Sequence, residues 1–87
     1  MRPFDLLIAL DVVEFVERLP KAERVRLRNR FLEIREAPDA RSDYAETDAV
    51  GRTVDINICG HFAIKYWTDH ADRHVKVLDV HAADRTR

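Results

Sequence analysis

A single cysteine, Cys59, leaves this 87-residue chain no internal disulfide to form. That excludes a disulfide-stapled secreted scaffold and points to a reducing compartment, so a cytoplasmic location is expected. Glycine and proline are scarce, at 2 and 3 residues, which excludes collagen-like and Pro/Gly-rich disordered chains. Long hydrophobic runs are also missing. The apolar stretch Phe4–Leu10 is broken by Asp5 and ends at Asp11; it is too short to span a bilayer and lacks the small-residue cleavage site of a secretory leader, so no membrane association is expected. Finally, neither charge sign is in excess. With a net charge of −1 and a pI of about 6.4, nothing global draws the molecule to nucleic acid, and any attraction to phosphate has to be local.

What is present suits one packed domain over residues 1–87. Hydrophobic residues make up 46% and charged residues 36% of the chain, enough for one core and too little length for two. The charges are unevenly spread. Lys21, Arg24, Arg26, Arg28, Arg30, Arg35 and Arg41 crowd one segment, whereas Asp43, Glu46, Asp48 and Asp55 face Arg52 alone in the next.

Periodicity supplies the elements. Residues 3–8 read as a strand led in by Pro3. Over Leu10–Leu19, the positions of Val12, Val13, Phe15, Val16 and Leu19 make the stripe of an amphipathic helix, with Asp11 at its acidic start. Pro20 ends that helix and can open the next, which runs from Lys21 to about Ala37 with Val25, Leu27, Phe31, Leu32 and Ile34 at helical spacing. Pro38 stops it, and the near-absent loop at Pro20 predicts an αα-hairpin. Pro38–Val50 reads as an irregular polar connection, with Tyr44 tucked back onto the core. Thr53–Cys59 alternates, predicting Val54, Ile56 and Ile58 on the core face and Asp55 and Asn57 on the opposite one. Gly60-His61 is a tight turn. Phe62–Thr68 places Phe62, Ile64 and Tyr66 on one face and Ala63, Lys65 and Trp67 on the other, and His74–Val80 is the last strand. The expected fold is α+β with order βααβββ, a two-helix hairpin packed on one face of a four-stranded, mostly antiparallel sheet. The uncovered sheet face, carrying an aromatic and charged residues, is the place to look for function.

Four stretches in this order resemble the RelE/ParE family of bacterial toxins: Pro3–Ile8 followed by Asp11-Val12-Val13-Glu14; Leu19-Pro20-Lys21; the Gly-x-aromatic-x-aliphatic-x-Tyr run Gly60–Tyr66; and Val75–Val80. The resemblance covers nearly the whole chain. It implies the toxin component of a type II toxin–antitoxin system, neutralised by a cognate antitoxin wrapped over it. Some members cut mRNA on the ribosome by metal-independent acid–base chemistry, and others bind DNA gyrase without catalysis. No cofactor is implied. Residue by residue, the nucleases' basic positions on the second strand correspond to Asp55 and Asn57, and the arginine after the third-strand aromatic corresponds to Ala63. A mRNA endoribonuclease, a non-catalytic gyrase binder and a catalytically degenerate antitoxin-binding member therefore all stay open.

For cleavage through the 2′-hydroxyl, a base, an acid and a cation are needed. His81, placed just past the last strand where some relatives keep a catalytic histidine, Lys65 on the open face and Arg85 in the tail are the catalytic candidates. Trp67 is a candidate to stack a base, with His61 and Arg52 at the rim. A histidine in a polar tail is most often only solvated, and strand lysines commonly serve solubility. His70 and His74 have a zinc-like spacing, but they bracket a turn, so no metal site is expected. Cys59 reads as a small buried residue. In the second helix Arg24 and Arg28 lie one turn apart, as do Arg26 and Arg30, which is a solvated face by default or else a contact for an acidic surface.

Overall fold

The computed structural model describes residues 3–83. The chain runs β1 (Asp5–Ile8), α1 (Leu10–Glu17), α2 (Lys21–Glu36), β2 (Tyr44–Thr47), β3 (Thr53–Cys59), β4 (Phe62–Asp69) and β5 (His74–Ala82). The strands form one sheet in the order β1-β5-β4-β3-β2, with β1 parallel to β5 and every other pair antiparallel. The α+β class and the helical hairpin are as the periodicity predicts. The strand count is not: the sheet has five strands rather than four, because part of the polar connection pairs with β3. Tyr44–Thr47 is exposed along its whole length, so no hydrophobic alternation announces it, and only its hydrogen bonds to β3 make it a strand. Tyr44 accordingly does not tuck into the core but stays 52% exposed.

Proline sets the hairpin of helices. Pro20 caps α2, its carbonyl accepting the amides of Glu23 and Arg24 at 3.0 Å, a role that needs no N–H of its own. The core lies between the helices and the sheet. Val12 from α1 and Leu27, Phe31 and Ile34 from α2 meet Cys59, Phe62, Ile64, Tyr66, Val75, Val77 and Val80, and Phe15 meets Phe62 edge-on at 6.0 Å.

The alternation of β3 is real, but its two faces are exchanged relative to the expectation. Side chains of antiparallel partners share a face. Asp55 pairs with Tyr66, Asn57 with Ile64 and Cys59 with Phe62, so Asp55, Asn57 and Cys59 point to the helices. Val54, Ile56 and Ile58 point to the open face with Ala63, Lys65 and Trp67. The cause is the company on the helix side. There β3 meets Arg30 and the segment after α2, whose polar groups require partners. Arg30 Nη1 donates to Asn57 Oδ1 at 2.9 Å, Asn57 Nδ2 donates to the Arg41 carbonyl at 2.7 Å, and Ser42 Oγ donates to Asp55 Oδ1 at 2.8 Å. On the open face, Ile56 sits between Lys65 and Tyr44 in register and Val54 opposite Glu46. Both are buried, in keeping with long side chains that lay their stems over apolar neighbours.

Tyr66 fastens the same segment. Its hydroxyl donates to the Pro38 carbonyl at 2.6 Å. Burial pushes the phenol well above its ordinary range, and the carboxylates of Asp55, Asp39 and Asp43 push it further, so it serves as a neutral donor. Tyr66→Phe is expected to cost about 1–2 kcal/mol by leaving the carbonyl unpaired, read as a lower urea midpoint at unchanged slope.

Candidate nucleic-acid interface

The open sheet face collects charge around one aromatic ring. Trp67 on β4 is the register partner of Lys76 on β5, and Lys76 Nζ lies 4.8 Å from the ring centre. Arg52, entering β3, brings its guanidinium carbon to 4.9 Å from the same ring. Two cations on one indole make a cation–π cluster. A second pair of functional groups follows along the strands. Lys65 faces Asp79 in register and Ala63 faces His81, so Lys65, Asp79 and His81 share this face.

His81 is not in a tail beyond the sheet. β5 continues to Ala82, and a register shift between Lys65 and Tyr66 keeps both ends of the β4–β5 ladder in phase. His81 Nδ1 lies 3.0 Å from Asp79 Oδ2, with both side chains about half exposed. With Nδ1 directed at a carboxylate, Nε2 is the ring nitrogen not engaged by Asp79. Lys65 Nζ lies 3.2 Å from Glu46 Oε1 of the edge strand β2.

Arg52 is positioned by the β2–β3 turn. Asp48 Oδ1 accepts the amides of Val50 and Arg52, and Asp48 Oδ2 accepts Arg52 Nε at 2.9 Å. Gly51 takes φ +81° at the bend, a conformation that favours glycine. The Arg52 amide is the main cause holding the Asp48 carboxyl below its ordinary value of 3.8; desolvation opposes it, and the Arg52 side chain and Val50 amide add to it. A depressed carboxyl stabilises the fold above its unfolded pKa, and that contribution is lost as pH falls through the lower folded value. The turn is therefore expected to loosen only below about pH 4, seen as an acid-dependent shift of the Val50 and Arg52 amide resonances. Asp48→Asn should abolish that step.

Of the residues singled out from the sequence, Lys65, Trp67, Arg52 and His81 come together on this face. His61 does not join them: it sits at the β3–β4 turn, with Nε2 3.2 Å from Glu23 of α2 and its ring 4.2 Å from that of Phe62. Arg85 lies outside the described residues. Lys76, Asp79 and Glu46 were missed. Lys76 carried a usable signal, alternating with Val75 and Val77, whereas Asp79 is out of phase with it and reaches the same face only through the register shift that skips Leu78. His70 and His74 do not converge. His70 pairs with Asp39 at 3.9 Å and meets Phe4 edge-on, while His74 lies with Asp69 and Asp72 in the β4–β5 turn.

The arginines of α2 divide by function. Arg30 also donates to the Ile58 carbonyl at 3.0 Å. Arg26 lies so close over Gly60 that a Cβ there would sit 2.6 Å from its Nη1. These two hold the β3–β4 hairpin. Arg24 and Arg28, with Lys21, instead rim a groove of about 460 Å³ whose apolar wall comes from Ile8, Val13, Val16, Val25 and Phe31, with Glu17 as its acid. Among the described residues, no helix is long and apolar enough to cross a membrane.

Three solved structures resemble this arrangement. A chain of the archaeal RelE–RelB complex from Pyrococcus horikoshii OT3 matches with TM-score 0.81 at 21% identity, over 95% of this chain and 98% of that one. The chain has the RelE fold. A chain of the toxin–antitoxin complex RelBE2 from Mycobacterium tuberculosis has the RelE fold in common with it at TM-score 0.80 and 12% identity, over 93% and 99% of the two chains. A mutant of the E. coli toxin RelE in the free state matches at TM-score 0.67 and 15% identity, over 95% of this chain and 86% of that one. No protein-family model matches the sequence, and no curated protein matches it.

Proposed function

We propose that this chain is the toxin of a toxin–antitoxin pair and that its open sheet face engages mRNA at the ribosome as an endoribonuclease, in the cytoplasm. The observation that carries the reading is the Trp67 cluster, where Arg52 and Lys76 meet one indole beside Lys65 and His81 on a RelE-fold sheet. Aromatic and cationic groups that are partly exposed, as these are, offer what a single strand requires: a surface for bases and charges for phosphates.

The reaction follows from the groups present. His81 Nε2 takes the proton of a 2′-hydroxyl, and the 2′-oxygen attacks the adjacent phosphorus. Lys65 balances the charge gathering on the phosphorane oxygens. The bond to the 5′-oxygen breaks, and that oxygen takes a proton from water while His81 releases the proton it took to solvent, leaving a 2′,3′-cyclic phosphate and a 5′-hydroxyl. Asp79 orients His81 throughout. The scheme uses no metal.

The partner of this reading is an antitoxin, as in the RelE–RelB and RelBE2 complexes that share the fold. The groove between α1, α2 and β1 supports it, because an apolar wall under a Lys21–Arg24–Arg28 rim suits an acidic amphipathic helix.

The test is expression of the chain with and without its genomic neighbour. Growth arrest relieved by the neighbour, with new 5′-hydroxyl ends on ribosome-bound mRNA that disappear in Lys65→Met, supports the reading. Arrest with intact mRNA and impaired DNA supercoiling would transfer the target to gyrase. Normal growth would leave a partner-binding protein without toxic action.

A further inference from the structure

Two cations of the open face, Arg52 and Lys65, each have a carboxylate beside them, and these two carboxylates are held very differently. Asp48 is locked into its turn by three hydrogen bonds, so its pairing with Arg52 belongs to the scaffold. Among the described residues Glu46 has no comparable anchor. Its strand, β2, lies at the sheet edge, is exposed at all four residues and pairs only with β3. The Glu46 side chain is 47% exposed, and the lysine it pairs with is 29% exposed. Exposed pairs of this kind are weak and exchange readily.

Resting on the reading of this face as an RNA interface, we propose that Glu46 is an internal competitor for the RNA backbone. Its carboxylate occupies Lys65 in the ion pair that a phosphate of the bound strand would otherwise make. The competition sets the affinity of the face. Around Lys65 and Trp67, Arg52, Lys65 and Lys76 stand against Glu46, Asp48 and Asp79, so the cations there are matched by carboxylates. A strand reaching Lys65 must displace Glu46, which then recruits a solution cation, and part of the gain from counterion release is cancelled. The face is thereby kept from holding RNA indiscriminately, and engagement falls to strands presented in place, as on a ribosome.

The experiment is fluorescence anisotropy with a labelled single-stranded RNA of about 12 nucleotides, a length within the usual span of such sites, over a range of salt. Glu46→Gln is expected to tighten binding roughly 3–10-fold and to steepen the slope of log K against log salt by up to about 0.7, the increment for one phosphate on a single strand. In a Lys65→Met background the same change should do nothing. Glu36→Gln, which removes a carboxylate from the end of α2, should leave affinity near wild type. An equal gain from Glu46→Gln with or without Lys65, or from Glu36→Gln, would overturn the competition while leaving the interface standing. Absence of binding in every variant, or wild-type binding in Trp67→Ala, would overturn the interface itself. Circular dichroism confirms that each variant is folded.

Discussion

His81→Ala is expected to slow ribosome-dependent mRNA cleavage by about 10²–10⁴-fold, the range a positioned general base contributes, without lowering the melting temperature. The two halves of this result have separate causes. The imidazole is half exposed on β5, and its polar partner among the described residues is Asp79 at 3.0 Å, so its loss leaves no buried group unpaired there and should change stability by less than about 0.5 kcal/mol. Lys65, a cation paired with Glu46, cannot take over as base in that state. Asp79→Asn should give an intermediate loss, since the imidazole remains but its tautomer is no longer fixed. Cleavage by His81→Ala at the wild-type rate would remove the acid–base scheme.

The largest effect on stability should come from a polar residue. Asn57→Leu is expected to cost about 3 kcal/mol, since a buried polar partner lost beside a charged group carries a penalty of this size. Asn57 is only 3% exposed and bridges Arg30 to the Arg41 carbonyl. Leucine fits the volume but leaves the guanidinium short of one acceptor and the carbonyl without its donor. For a domain of this length, whose total stability is roughly 4–13 kcal/mol, that is a large share, and urea unfolding reads it directly. The same variant checks the orientation of β3. If Asn57 pointed to solvent on the open face, leucine there would change stability by no more than about 0.5 kcal/mol.

The helical hairpin was legible because Pro20 and Pro38 punctuate strongly periodic segments; of the α2 stripe, Leu27, Phe31 and Ile34 build the core while Val25 and Leu32 stay exposed. The edge strand was not, since Tyr44–Thr47 has no buried face; only the Gly51 bend, with Asp48 to cap it, pointed to a hairpin there. The orientation of β3 shows a different lesson. Hydrophobic alternation assigned Val54, Ile56 and Ile58 to the core, and the polar partners that reverse it, Arg30 and Arg41, lie 27 and 16 positions from Asn57. Yet the reversal was readable in the turn. A two-residue loop at Gly60-His61 forces Cys59 opposite Phe62, and Phe62 leads the core set of β4, so Asn57 and Asp55 must follow Cys59 to the helix side. Turn geometry outranks alternation when both faces of a strand bury apolar atoms.

That reversal also reshapes the site. The acidic and amide residues that made β3 look unsuited to RNA point away from the open face, which carries Lys65, Trp67, Lys76, Arg52 and His81, with Glu46, Asp48 and Asp79 among them, around an apolar floor of Ile56, Ile58 and Ala63. Lys76 was missed because its role depends on Trp67, its partner across the β4–β5 ladder.

The claim that this face is the working surface is tested most directly by a ¹⁵N-resolved NMR titration of the chain with the same single-stranded RNA. The account predicts that the Trp67 indole N–H and the amides of Arg52, Lys65, Lys76 and His81 move together and saturate together, while Val13, Val16 and Val25 around the groove stay still. Movement confined to the α1–α2 groove, or a Trp67 indole resonance unchanged at saturation, would contradict it.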